Sequence, residues 1–176
     1  EKDDTPVIFV PGFLQPYINK QQCIDCGRCK KVCPSCNEVK KDMPLQAIIA
    51  CSQNEDVVRL SSSGGVFSEL AQSVFDVDGV VCGAVFADDF LTVQHCVATN
   101  IDELSKMRGS KYIQSNACNI YKETKEYLQK GKTVLFSGTP CQVAGLKSYL
   151  GKEHSNLITI DFVCHGVASS KAYQEY

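Results

Sequence analysis

At residues 134–151 the chain carries VLFSGTPCQVAGLKSYLG, the stretch that decides its fold. The apolar run Thr133–Phe136 predicts a short buried strand. Thr139 then fits the N-cap position of a helix over Pro140–Leu150, because threonine caps helices well and proline is favoured at the first helical position. A buried strand that leads directly into a helix is the repeating unit of an α/β fold.

The flanking sequence continues this alternation. Residues 66–75 place apolar side chains at three- to four-residue spacing, which predicts an amphipathic helix. Residues 79–87 and 91–98 predict two strands on either side of an Asp88-Asp89 turn. The other predicted elements are a strand at 157–163, helices at 119–129 and 168–176, and a possible strand at Ala47–Cys51. We therefore predict an α/β domain with a largely parallel sheet over residues 58–176.

Composition excludes several classes of protein. The 176 residues include 18 Lys+Arg and 20 Asp+Glu, a formal net charge of −2 that favours neither a nucleic-acid partner nor an anionic membrane. No apolar run approaches the roughly 20 residues that span a bilayer, and no signal peptide is evident. Because the chain starts at Glu1 and ends at Tyr176 inside a predicted helix, we expect a fragment.

Eleven cysteines are the unusual feature of the composition. An odd number without a secretory signal argues against a disulfide framework and favours a reducing compartment, so we predict a cytoplasmic protein. Five of the eleven fall within residues 23–36. Clustered thiols of this kind indicate a metal site, and residues 1–42 are predicted to form a small module built around it.

The cluster follows the pattern C-x2-C-x2-C-x3-C-P, formed by Cys23, Cys26, Cys29 and Cys33. This is the spacing of bacterial ferredoxins, so we predict a 4Fe-4S site in a ferredoxin-like module. Zinc sites more often have two separated C-x2-C pairs, and zinc is the alternative. In ferredoxins the fourth cysteine of such a run ligates the other cluster of a pair. The fourth ligand here is therefore either Cys36 or a residue upstream of Glu1.

Two further segments carry candidate chemistry. The turn at residues 61–65 (SSSGG) precedes a predicted helix and could cradle a phosphate, although such polar turns also begin many helices for structural reasons. Cys141 falls in the first turn of the predicted helix, a position that favours a metal-bound thiolate or a nucleophile. Cys164 follows the next strand and should emerge at the same sheet edge. The two thiols suggest a shared metal. A Cys141/His165 nucleophile–base pair is a second possibility. The third is that Cys141 is a buried structural cysteine.

The remaining cysteines have no ligand spacing, and we predict that they are buried hydrophobic residues. They are Cys51, Cys82, Cys96 and Cys118. His95 and His154 show no partner pattern and are assigned no role.

Five motifs in one order give the chain a family resemblance: the cysteine run, SSSGGVFSEL, GSKY, VLFSGTPCQVAGLKSYLG and DFVCHGV. Over residues 12–176 it resembles the coenzyme F420 hydrogenase/dehydrogenase β-subunit family, in the bacterial form with a fused ferredoxin module. The resemblance implies an oxidoreductase whose FAD exchanges a hydride with a soluble carrier, coenzyme F420 or similar. Single electrons would pass between FAD and 4Fe-4S clusters.

The resemblance also implies site residues and partners. Cys141 and Cys164 would hold a cluster next to the flavin, with two further ligands beyond Tyr176. The implied partner is an electron-transfer protein or subunit, and the alternative is a ferredoxin-type carrier or adaptor without flavin chemistry. The implied cofactor-binding residues are Ser62, Ser63, Gly64, Gly65, Gly109, Ser110, Lys111, Tyr112, Gly138 and Thr139.

Overall fold

The structure is a computed structural model that describes residues 7–10, 12–37 and 43–176. Seven strands and seven helices lie in this part of the chain. In order they are β1 (Val7–Val10), β2 (Phe13–Pro16), α1 (Arg28–Val32), α2 (Glu55–Arg59), α3 (Val66–Phe75), β3 (Val80–Phe86), β4 (Val93–Ala98), α4 (Ile101–Ser105), β5 (Ser115–Asn116), α5 (Ile120–Gln129), β6 (Val134–Gly138), α6 (Pro140–Leu150), β7 (Leu157–Asp161) and α7 (Ser170–Glu175).

Five strands form one sheet in the order β5-β4-β3-β6-β7. The pairs β3/β6, β6/β7 and β4/β5 are parallel, and β3/β4 is an antiparallel hairpin. The predicted α/β class with a largely parallel sheet is therefore confirmed. The antiparallel pair arises because β3 and β4 are joined by a tight turn, in which the Ala87 N–H donates to the Thr92 carbonyl at 2.9 Å.

Helices cover both faces of this sheet. On one face α5 and α6 pack against a cluster centred on Phe136 and Leu146, both fully buried. On the other face α3 and α4 pack against a cluster that includes Leu104 and Leu135, also fully buried. Because β3 and β6 are central and covered on both sides, their residues are almost all buried, as expected for parallel strands.

A separate antiparallel hairpin, β1–β2, precedes the cysteine run. The run continues into α1, a five-residue helix with no buried residue. No helix in the part of the chain that the structure describes is both long and apolar enough to cross a bilayer.

Most predicted elements are found within two residues of their expected ends. Helix α6 begins and ends at the predicted residues, because the Thr139 N–H donates to the Gln142 side chain at 2.9 Å and Gly151 ends the helix in a left-handed conformation. The possible strand at Ala47–Cys51 is wrong. Those residues form no strand, and Ile48 and Ile49 are exposed, since no strand among the described residues pairs with them to complete a ladder.

Candidate functional site

The predicted segments that contain Ser62 and Ser110, 48 residues apart in sequence, lie against each other at the N-terminus of α3. The Ser110 N–H donates to the Ser62 hydroxyl at 3.1 Å, and the Arg108 Nε donates to the Ser68 hydroxyl at 3.0 Å. We call residues 61–65 the serine-glycine turn and residues 108–112 the RGSKY loop. Together they form one exposed surface around the first turn of α3, where backbone N–H groups favour an anion.

The lysine of the RGSKY loop is engaged with its own backbone. Lys111 Nζ donates to the carbonyls of Met107, Arg108 and Gly109, each at 3.1 Å, and lies 5.7 Å from the centre of the Phe86 ring. Burial lowers the pKa of this half-buried amine. Lys111 therefore holds the loop together by binding these three carbonyls, while Tyr112 is 79% exposed.

The glycines of the serine-glycine turn are required by the chain itself. A Cβ added at Gly64 would lie 2.8 Å from the Ala50 carbonyl oxygen, and one at Gly65 would lie 2.8 Å from a Val57 methyl group. Gly65 also has φ +81°, a conformation that disfavours other residues. Substituting Gly64 would therefore disturb the folding of the turn, whether or not a ligand binds there.

A cavity of about 260 Å³ opens beside this surface, between α2, α3 and the start of α4. Its polar walls come from Asn54, from α3 and from Arg108 of the RGSKY loop. Glu69 of α3 also accepts a short hydrogen bond from the Ser52 hydroxyl. The polar lining residues are Asn54, Ser68, Glu69, Gln72 and Arg108. The cavity is smaller than the roughly 300 to 1,000 Å³ that is typical of pockets for drug-sized ligands.

The second group of candidate residues lies where β6 and β7 end. These strands are parallel neighbours with Gly138 opposite Asp161, so both leave the sheet at the same edge. Cys141 is exposed in the first turn of α6, with its Sγ 3.1 Å from the Thr139 hydroxyl. Cys164 is also exposed, and its Sγ accepts the Gly166 N–H at 3.4 Å. Amide hydrogen bonds to sulfur of this kind accompany iron–sulfur ligation.

Packing fixes the turn that carries Cys141. The Tyr121 hydroxyl donates to the Gln142 carbonyl at 2.9 Å, and the Gln142 side chain donates to the Ser115 hydroxyl at 2.8 Å. Burial, together with the nearby Cys141, raises the pKa of Tyr121 to about 12, so it remains a donor. The position of Gly138 and Thr139 before this helix follows from the same contacts.

In the ferredoxin-like run, Cys23, Cys26 and Cys29 are exposed and Cys33 is half-buried. The Asp25 N–H donates to the Cys23 sulfur at 3.4 Å. Hydrogen bonding by the Ser35 backbone lowers the pKa of Cys33, and interaction with Cys33 raises that of Cys36. The free thiols and amide donors fit an iron–sulfur cluster in chemical type.

The described residues contain no group of three or more metal-binding side chains close enough to hold a single metal ion. A cubane differs from such a site, because each of its cysteines binds a different iron and the sulfurs stand further apart.

The scattered cysteines divide into two kinds. Cys82 is fully buried, and burial raises its pKa to about 12, which confirms the prediction for this residue. Cys96 is half-buried, and burial raises its pKa too. The prediction is wrong for Cys51 and Cys118, which are exposed because neither lies in a strand or helix that packs into the core.

His95, to which the sequence assigned no role, is 95% buried on β4. Its ring stacks on Phe136 at 5.8 Å between centroids, and within the described residues neither ring nitrogen has a hydrogen-bond partner. Burial lowers its pKa, and the nearby backbone of Ser137 and Asn116 partly opposes the shift. The alternation of LTVQHCVA could have revealed this burial, because it places His95 on the same face as Val93.

Comparison with known proteins finds matches to three family models. Residues 15–78 match the model of a 4Fe-4S dicluster domain. Residues 47–122 match the model described as coenzyme F420 hydrogenase/dehydrogenase, beta subunit N-term, and residues 131–176 match the corresponding C-terminal model. These two models together cover about two thirds of the chain. No curated protein matches it.

Among solved structures, the chain is similar to one from the F420-reducing NiFe hydrogenase complex of Methanosarcina barkeri. The TM-score is 0.53 and the sequence identity 20%, over 71% of this chain and 46% of that one. The chain thus spans about half the length of the hydrogenase chain whose fold it shares. The two family models, in the expected order on this fold, show that the chain belongs to the coenzyme F420 hydrogenase/dehydrogenase β-subunit family, a family of oxidoreductase subunits.

Proposed function

We propose that the chain is part of a cytoplasmic iron–sulfur flavoprotein that passes electrons between 4Fe-4S clusters and FAD. FAD supplies hydride exchange with a soluble carrier, coenzyme F420 or similar, and the clusters supply single-electron transfer. Residues 1–42 would form the ferredoxin-like module and residues 58–176 part of the flavin domain. An electron-transfer protein or subunit would be its partner.

The observation that carries the flavin assignment is the contact between the serine-glycine turn and the RGSKY loop. Neither segment alone is distinctive, but Ser62 and Ser110 join them at the N-terminus of a ten-residue helix. Such a helix end favours a phosphate through its dipole and unpaired N–H groups. Lys111, whose Nζ donates to the Gly109 carbonyl of the same loop, carries a charge of the sign that suits a diphosphate. Ser63, Gly64, Gly65, Gly109 and Tyr112 are the neighbouring contacts we assign to the flavin.

The cysteines would hold two kinds of cluster site. In the module, Cys23, Cys26, Cys29 and Cys33 follow ferredoxin spacing. At the sheet edge, Cys141 and Cys164 would be two ligands of a cluster near the flavin, beside Gly138 and Thr139. Their shared edge and the amide hydrogen bond to Cys164 support this assignment.

The flavin assignment is tested by placing a negative charge at the helix terminus. We expect Ser63→Asp to weaken FAD binding at least about tenfold in the full-length protein, because the new carboxylate repels a diphosphate. Ser63 is exposed, and aspartate is compatible with a helix N-terminus, so folding should persist. The matched control is Ser73→Asp, an equally exposed serine in the last turns of the same helix. Equal FAD affinity of the two variants, measured by fluorescence titration, would contradict the assignment and favour a carrier without flavin.

The cluster assignment is tested by iron analysis after anaerobic reconstitution with iron and sulfide. Cys141→Ser and Cys164→Ser should each lower iron by one cluster, about four atoms, while FAD remains. Cys82→Ser should leave iron unchanged, since Cys82 lies in the core. If iron is unchanged in both edge variants and Cys141 reacts rapidly with iodoacetamide, Cys141 is a nucleophile instead.

A further inference from the structure

The β1–β2 hairpin, at the iron–sulfur end of the chain, contacts the α/β domain through the side-chain amide of Gln114. The Leu14 N–H of β2 donates to Gln114 Oε1 at 2.6 Å, and Gln114 Nε2 donates back to the Leu14 carbonyl at 2.9 Å. These atoms are partly buried and 100 residues apart in sequence. A reciprocal pair of this kind copies the pairing of a neighbouring strand, so it fixes both the position and the register of β2.

Backbone contacts beside Gln114 extend this interface. The Ser170 N–H donates to the Gly12 carbonyl at 3.1 Å. Gly12 has φ +91°, and a Cβ added there would lie 2.7 Å from the Ser169 Cβ, so the two segments approach as closely as glycine allows. Ile113 forms an isolated parallel bridge with Ala168, which holds residues 113 and 168 together under the hairpin. We call this set of contacts the hairpin interface.

The same module also meets α6. Helix α1, which contains Cys29, contacts α6, whose first turn contains Cys141. In sequence, the hairpin interface comes before the cysteine run, and the helix that contacts α6 lies within the run. The run is therefore held at two points against the domain that carries the other candidate cluster cysteines.

We infer that Gln114 is a positioning residue, which docks the iron–sulfur module on the α/β domain and thereby sets the separation of the two cluster sites. This inference rests on the proposed function. Electron transfer between clusters depends steeply on their separation, and α1 buries no residue that could fix it by packing. The amide of Gln114 supplies the directional contact that α1 lacks.

The experiment compares three variants of the reconstituted full-length protein. Gln114→Ala removes both hydrogen bonds, whereas Gln114→Glu retains an acceptor for the Leu14 N–H and loses the donor to its carbonyl. Gln129→Ala is the matched control, because Gln129 is an exposed glutamine at the end of α5. Hydrogen exchange of the Leu14 amide reports docking, and magnetic coupling between the two reduced clusters, measured by electron paramagnetic resonance, reports their separation.

We expect Gln114→Ala to accelerate Leu14 exchange at least about tenfold and to weaken the coupling, while iron content stays unchanged. Gln114→Glu should fall between Gln114→Ala and the parent, and Gln129→Ala should match the parent. Unchanged Leu14 exchange in Gln114→Ala would overturn the docking role, and faster exchange with unchanged coupling would overturn the positioning role. A parent protein with only one cluster would instead overturn the two-cluster function, and Leu14 exchange would still decide whether Gln114 docks the hairpin.

Discussion

Helices α1 and α6 each carry one proposed cluster cysteine, Cys29 and Cys141, yet they are held in place in different ways. Helix α6 has five buried residues and packs against both the sheet and α5. Helix α1 has none and spans only five residues. The position of Cys141 is therefore fixed by core packing before any cofactor binds. That of Cys29 depends on docking contacts and on ligation itself, as in small metal-dependent modules.

The sharpest way to break this comparison is to truncate one apolar side chain to alanine in each helix. Leu146→Ala in α6 removes a fully buried side chain and should lower the free energy of unfolding by about 2 to 5 kcal/mol. Val32→Ala in α1 removes a half-exposed side chain and should cost less than about 1 kcal/mol. Denaturant unfolding of metal-free protein measures both. Similar losses in the two variants would show that α1 belongs to the same core.

Removal of the clusters should have the next largest effect, and it should affect α1 and α6 differently. We expect oxidation and chelation to increase proteolytic cleavage within residues 17–37 at least about tenfold, or 1.4 kcal/mol in local opening, because ligation supplies order that packing does not. Amide exchange in α6 should stay unchanged, since its contacts are made by the sheet and α5. Mass spectrometry of the fragments gives the measurement. An equally large increase in amide exchange in α6 would contradict a Cys141 site that forms before the cluster binds.

The smallest effect concerns His95, which lies beneath the turn leading to α6. Burial lowers its folded-state pKa, so the unfolded chain binds the proton more readily, with a pKa near 6.5. The folded state should therefore lose stability as the pH falls below about 6.5, by at most about 1.4 kcal/mol per pH unit.

His95→Phe supplies the comparison for that titration, because phenylalanine retains the stack on Phe136 and cannot bind a proton. The stability of the parent should fall relative to the variant between pH 7 and pH 5, as measured by thermal or denaturant unfolding. A difference between the two proteins that does not vary with pH would show that His95 is not held neutral.

Much of the α/β domain could be predicted because its signals are local. Thr139, Pro140 and Gln142 lie within four residues of one another and define the start of α6 through bonds made inside that turn. The cysteine run is equally local, since its spacing alone indicates ferredoxin-like ligation. Short helices were missed even where a local signal existed. Asn100 caps α4 by accepting the Glu103 N–H at 3.0 Å, a pattern visible in the sequence.

The sequence by itself determined the element types, the caps and the cysteine run, because these depend on interactions between residues a few positions apart. Only the tertiary structure decided which segments meet. It brought Ser110 to Ser62 across 48 residues and Gln114 to Leu14 across 100. It also exposed Cys51 and Cys118, which apolar neighbours in sequence had suggested were buried. Contacts of this kind depend on the order and register of strands in the sheet, and no local pattern encodes that arrangement.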